Sequence, residues 1–238
     1  MSTQVVLVPG FWLGAWAWDA VAPHLRDAGH EVVALTLPGL EPGADPAAAT
    51  LDAQADAVAG ALDSAADRRV LVVHSGAAVP GTLVLDRHPD LVDHVVFVDT
   101  APVRDGYAMN AGFEGEALPL DAVWDEEYGQ GSMRDLTDVQ LATFRERAVP
   151  QPAATVRQPV ALSNPARLSV PATVVCTAFP SEEYRSYAEQ GASFLAGLLD
   201  HTDVTYVDLP TGHWPMWSRP RELADIIAGV AEAGAQSA

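Results

Sequence analysis

The chain has 238 residues and a formal net charge of −19, and 49% of its residues are hydrophobic. That length and apolar content suit a single α/β domain with a sizeable core and exclude a disordered chain. All 13 basic residues are arginines, and the acidic excess makes phosphate backbones and anionic lipid poor partners, so neither nucleic acid nor a membrane is expected.

The chain enters an apolar run at 5–8 with no basic or cleavable apolar segment ahead of it, so no secretory signal is expected. Further strand-like runs lie at 31–35, 70–73, 95–98, 173–176 and 205–207. Helical patterns separate them at 16–27, 51–65, 76–87, 182–199 and 219–233. Leu51, Ala55, Val58, Ala59 and Leu62 carry the helical period. Short apolar strands alternating with helices predict a doubly wound, mostly parallel sheet covered on both faces. The rhythm breaks between residues 106 and 168, where Gly, Pro, charged residues and scattered aromatics replace it. A loop of that length implies structure or function of its own. It reads as a cap insertion, helical at 137–148, over the carboxyl edge of one domain spanning 1–238. Beyond Glu232 the tail is expected to fray. The one cysteine, Cys176, excludes an internal disulfide and fits a reducing compartment, so a cytoplasmic location is expected.

Ligands of open parallel sheets bind beyond the carboxyl ends of the strands. Four strand exits carry chemistry here. The first run leads into Pro9-Gly10-Phe11-Trp12, the third into Ser75-Gly76, the fourth into Asp99, and the last into Gly212-His213-Trp214. Ser75 ends an apolar run and is followed by Gly-Ala-Ala, which fits a strand-turn-helix corner holding the hydroxyl above the sheet. A serine hydroxyl needs a base, and neutral imidazole suits that task; a carboxylate fixes the imidazole tautomer. The order Ser75, Asp99, His213 supplies nucleophile, acid and base. The Phe11 and Gly76 backbone N–H groups are candidates for an oxyanion hole. Taken singly, each residue has a plainer reading: a serine tolerated in a tight turn, a turn-capping histidine, a capping aspartate. Their shared order along successive strand ends favours catalysis.

These segments resemble the α/β-hydrolase superfamily, in particular its small-esterase branch with methylesterases and hydroxynitrile lyases. The run from Val5 through Trp16 matches the first strand and oxyanion loop, with Pro9 in place of the usual His. Residues 34–39 match the second strand and its exit. Gly212-His213-Trp214-Pro215-Met216 and the Arg219-Pro220 helix start match the histidine turn and last helix. The resemblance implies the α/β-hydrolase fold, no cofactor, and an ester substrate. The elbow departs from G-x-S-x-G, with Val73 and Ala77 in place of the glycines. The acid that commonly follows the next-to-last strand of this branch is also missing. Asp99 matches the alternative position after the strand that follows the elbow, and Glu182 is the second candidate. Asp99 is preferred because an acid must reach the histidine from a fixed strand end.

Trp12, Trp214 and Phe179 are expected to line a pocket for a small apolar ester. His74 points away from Ser75 along the strand and is expected to pack beneath the turn. No metal-ligand spacing occurs, so no metal is expected. A homo-oligomer is compatible with the sequence. Two other readings stay open: a carbon–carbon lyase or acyltransferase on the same residues, and a non-catalytic small-molecule-binding relative. The pocket lysine on which related hydroxynitrile lyases rely has no counterpart, since the chain has no lysine.

Overall fold

The computed structural model describes residues 2–233. Eight strands form among them: β1 (Thr3–Val8), β2 (Glu31–Ala34), β3 (Arg68–His74), β4 (His94–Val98), β5 (Ala117–Leu118), β6 (Gln151–Pro152), β7 (Ala172–Cys176) and β8 (Val204–Asp208). Six of them make one parallel sheet in the order β2-β1-β3-β4-β7-β8, while β5 and β6 pair antiparallel in a separate ribbon. The helices are α1 (Ala22–Asp27), α2 (Leu51–Ala61), α3 (Ala78–Arg87), α4 (Trp124–Gly129), α5 (Asp138–Arg147), α6 (Ala153–Arg157), α7 (Ser181–Glu189), α8 (Pro215–Ser218) and α9 (Pro220–Ala233).

Successive side chains of a strand point to opposite faces, and the apolar runs therefore feed two cores. Val6, Val8, Leu71, Val73, Val95 and Phe97 face one side, against α2, α3 and α7. Val5, Leu7, Val70, Val72, Val96 and Val98 face the other, against α1, α9 and Trp18. A strand buried on both faces is mostly apolar, which is why β1 reads as a continuous apolar run over 5–8; Thr3 and Gln4 ahead of it are also buried. The flanking helices are set by local signals. Thr50 caps α2 by accepting from the Ala53 N–H, and Thr137 with Gln140 forms a capping box at the start of α5.

The insertion differs from the sequence expectation in holding a strand pair, β5 and β6; two residues per strand is too short a run for a period-two pattern to register. Expected helices are also broken up. The 16–27 region is a 3-10 turn at Ala15–Trp18 followed by α1, and the 182–199 region ends at Glu189. Gly191, at φ +89°, stops α7. The fraying expected after Glu232 falls, beyond Ala233, outside the described residues.

The chain leaves β1 for β2 on one side and returns with β3 on the other. The carboxyl ends of β1 and β3 therefore flank a topological switch point, where open α/β sheets form ligand crevices. Register brings the exits together: Val8 pairs with Val73, His74 with Val98, and Val98 with Val175.

Candidate active site

Ser75 follows β3 directly, with φ at +52°. A non-glycine residue in this left-handed region costs about 1–2 kcal/mol and persists only where its surroundings enforce it. Here a rigid strand precedes it, a helix follows, and the loop after β1 lies against it. A Cβ on Gly10 would stand 2.8 Å from the Ser75 Cβ, and a Cβ on Gly76 would stand 2.4 Å from the Phe11 ring. Glycine at both positions lets the Pro9-Gly10-Phe11 loop close on the serine turn, with the Phe11 ring over Gly76. Trp12 in that loop and Asp99 are also left-handed, at φ +66° and +48°. Among the described residues, three of the four non-glycine residues with positive φ thus sit in the exits that the sequence singled out.

His213 lies between β8 and α8, and its Nε2 is 2.7 Å from Ser75 Oγ. Its Nδ1 hydrogen-bonds Asp99 Oδ2. Since an ionised carboxylate can only accept, Nδ1 carries the proton and Nε2 is free to accept from the serine hydroxyl. The other Asp99 oxygen is fully used: Oδ1 accepts from the Tyr184 hydroxyl, from Thr177 N–H at 3.2 Å and from Ala178 N–H at 3.0 Å. The β7 exit, where the sequence offers no acid, thus supplies backbone donors that hold the Asp99 carboxylate at the β4 exit. Glu182 is exposed in the first turn of α7, and Nδ1 of His213 is already taken by Asp99.

His213 is also held by its backbone. His213 N–H donates to Ser132 O at 2.7 Å, and His213 O accepts from His74 Nε2 at 2.7 Å. His74 is buried beneath the turn, its ring centroid 4.8 Å from that of His213. Burial, reinforced by the neighbouring His213, lowers the His74 pKa to about 3, so it stays neutral and donates from Nε2.

Burial opposes charge on both members of the His213–Asp99 pair, but their interaction prevails. The hydrogen bond and charge of His213, with the Tyr184 hydroxyl and the Ala178 N–H, hold Asp99 well below the usual carboxylate range. The Asp99 hydrogen bond and charge, with a contribution from Glu127, raise the His213 pKa above its ordinary value. A reaction that needs neutral His213 therefore loses rate as pH falls through a pKa above 6.5.

Ser75, Gly76, Asp99 and His213 open on a cavity of about 680 Å³. Its lining includes apolar Val79, Val103, Leu195 and Phe194, together with Glu126 and Glu127 of α4 and Gln130 just beyond that helix. Phe179, which the sequence suggested for the pocket, is among the lining residues. Trp12 and Trp214 do not line it. Trp12 is 7% exposed and Trp214 1%; both turn away from the cavity and pack on Phe144 of the insertion. The Trp12 indole N–H donates to Leu118 O. Their position beside Phe11 and His213 in sequence concealed this, because the side chains are directed behind the loops that carry them. Tyr184 escaped the sequence reading altogether. Its signal was a tyrosine on the buried face of an amphipathic helix, whose hydroxyl must find a partner.

A model of the alpha/beta hydrolase family matches residues 5–226. The chain belongs to the alpha/beta hydrolase family. Among curated relatives, the rice esterase PIR7B (Oryza sativa subsp. japonica) is 36% identical over 103 residues, 40% of this chain and 38% of that protein. Polyneuridine aldehyde esterase of Rauvolfia serpentina is 27% identical over 129 residues, 52% of this chain and 49% of that one. The chain thus spans about half or less of the length of these relatives, whose names agree with the small-esterase resemblance read from the sequence. Among solved structures, a pyrethroid hydrolase from Sphingobium faniae JZ-2 superposes with a TM-score of 0.69 at 20% identity, covering 99% of this chain and all of that one. The Arabidopsis methylesterase MES16 does so at 0.70 and 17% identity, covering 98% and 100%. At these identities the likeness is one of fold.

This alpha/beta hydrolase accommodates Val73 at the elbow by moving the missing glycine elsewhere. A Cβ on Gly81 of α3 would stand 2.7 Å from Val73 Cγ1. The space that a glycine at position 73 would leave is supplied from the facing helix. Gly81→Ala improves intrinsic helix propensity by about 1 kcal/mol yet forces an overpacked contact that typically costs about 1–3 kcal/mol. The expected result is a lower midpoint of denaturant unfolding for Gly81→Ala, restored by adding Val73→Ala. A more stable Gly81→Ala single variant would show that the contact does not constrain the elbow.

Proposed function

We propose that the protein is a cofactor-independent serine hydrolase that cleaves a small, largely apolar carboxylic ester through an acyl-enzyme. The observation that carries this is the unbroken hydrogen-bond chain from Ser75 through His213 to Asp99, opening on a cavity large enough for such a substrate. Family membership and relatives named as esterases support the same reading.

Ser75 Oγ attacks the ester carbonyl while His213 Nε2 takes its proton. The imidazolium is stabilised by Asp99. The tetrahedral oxyanion is held by the backbone N–H groups of Phe11 and Gly76, each such donor supplying roughly 3 kcal/mol of barrier lowering. His213 returns the proton to the departing alkoxide. Water, deprotonated by His213, then releases the acid and regenerates Ser75. The segment 106–168 acts as the cap, contributing Tyr107, Met109 and the α4 wall to the cavity.

The cavity lining contains no arginine, while Glu126 and Glu127 bring two carboxylates near the acylation site. At an effective dielectric constant of about 20, a like charge about 10 Å away costs a substrate anion roughly 1.7 kcal/mol, somewhat more than tenfold. A panel of p-nitrophenyl and methyl esters on the purified protein tests both claims. Neutral esters are expected to turn over with a burst of the alcohol product, and esters with a free carboxylate on the acyl group to have kcat/KM at least about tenfold lower. Glu127→Gln is expected to narrow that gap. Absence of turnover across the panel would refute ester hydrolysis, and equal kcat/KM for neutral and anionic esters would refute charge selection.

A further inference from the structure

Arg134 lies in the inserted segment, outside the hydrogen-bond chain of the three reacting side chains. Its guanidinium Nη2 donates to Thr177 O at 2.8 Å and to Ala178 O at 3.3 Å. The peptide unit whose carbonyl is Thr177 O has the Ala178 N–H as its other end, and that N–H donates to Asp99 Oδ1 at 3.0 Å. One peptide group therefore separates a cation from the carboxylate that orients His213. Hydrogen bonds arranged in series polarise one another, and a cation on the carbonyl makes the amide a stronger donor.

The backbone beside Arg134 reaches the base as well. His213 N–H donates to Ser132 O. A Cβ on Gly212 would stand 2.5 Å from both Ser132 O and Arg134 O, so the histidine loop lies directly on this stretch. Thr211 Oγ1 donates to Asp135 Oδ2 at 3.0 Å, and Asp135 holds φ at +67°. Residues 132–135 thus touch the loop carrying the base, and the Arg134 side chain grips the loop that holds the acid.

We propose that Arg134 is a positioning residue for the hydrolysis assigned to Ser75: acting through the Thr177–Ala178 peptide, it fixes and polarises the donors of Asp99 and so couples the inserted segment to the acid and base. This rests on the ester-hydrolase reading. Arg134 is itself exposed, so solvent screens part of its charge. The same exposure leaves the site open to an added guanidinium.

The sign of its effect on His213 follows from the groups around that ring. Asp99 from the β4 exit, His74 from β3 and Glu127 from α4 face His213, and Tyr184 from α7 donates to Asp99. Without Arg134, the Ala178 N–H becomes a weaker donor and Asp99 a stronger base. Asp99 then holds the imidazolium more tightly. Loss of a nearby positive charge acts in the same direction. Both move the acid limb of kcat/KM to higher pH.

The test compares wild type, Arg134→Met and Arg134→Lys on one neutral p-nitrophenyl ester, with rates expressed per active site titrated by a fluorophosphonate. Arg134→Met is expected to lower kcat roughly tenfold with KM within about twofold, and to raise the pH of the acid limb. Added methylguanidinium is expected to restore part of kcat, and Arg134→Lys to be intermediate. A wild-type kcat per site and an unmoved acid limb in Arg134→Met would overturn the proposal, as would fewer titratable sites with normal rates in each. Should Arg134→Met not fold, the acid limb of Arg134→Lys decides: a shift supports the proposal and no shift overturns it. If the wild type itself turns over no ester, the hydrolase reading has failed rather than the role of Arg134.

Discussion

Replacing Ser75 with alanine is expected to lower kcat for a neutral ester by about 10⁶-fold, the loss seen when the nucleophile of such a set is removed. The magnitude follows from the arrangement. His213 Nε2 lies 2.7 Å from one hydroxyl, and without that oxygen the base has no nucleophile to deprotonate except water. Oxyanion donors and substrate binding would remain, leaving a residual rate above that in water of roughly 10³–10⁴-fold. KM is expected to stay near its original value, because a lost hydroxyl adds space without removing the walls that bind substrate. Steady-state kinetics over the ester panel, with labelling by a fluorophosphonate, checks this. The variant should neither turn over ester at a useful rate nor take up the label. Undiminished turnover would show that the ester is cleaved by other residues.

Asp99→Asn is expected to lower kcat by about 10⁴-fold. An asparagine amide can donate to His213 Nδ1 where the carboxylate only accepted. Nδ1 would then have to accept, moving the proton to Nε2 and turning the base into a donor towards Ser75. The buried imidazolium would also lose the charge that stabilises it. The acid limb of the pH profile should therefore fall to lower pH even as the maximal rate collapses. Glu182→Gln is expected to leave kcat within about twofold, since Glu182 is exposed on α7 and exposed charges far from a reaction contribute little. Measuring both variants at several pH values separates the two acids. A collapse in Glu182→Gln with normal rates in Asp99→Asn would reverse their roles.

The sheet was legible because strands buried on both faces are mostly apolar, and each of the six runs read in the sequence forms one of its strands. The exits that carry Phe11, Ser75, Asp99 and His213 could be marked as a group because open sheets present their carboxyl ends on one side. Helix ends were less legible. Gly191 and the 3-10 turns near residues 15–18 and 196–199 interrupt patterns whose apolar period runs on. The cavity walls were least legible, because they depend on where side chains point from irregular backbone. Trp12 and Trp214 are adjacent to reactive residues yet pack behind them, while Glu126 and Glu127 are distant in sequence yet line the cavity. Val73 looked out of place at the elbow because its counterpart, Gly81, sits eight residues later on the facing helix.

The most direct test of the central claim is to mix the protein with p-nitrophenyl acetate at a pH below the His213 pKa, quench within the burst, and map peptides by mass. Acylation and deacylation both need neutral His213 and are slowed there, but the nitrophenolate leaving group keeps acylation the faster step, so acyl-enzyme accumulates. One acetyl group per chain is expected on the peptide containing Ser75, disappearing when the quench is delayed and absent from Ser75→Ala. Acetyl on another residue, or an equal burst from Ser75→Ala, would contradict nucleophilic catalysis by Ser75.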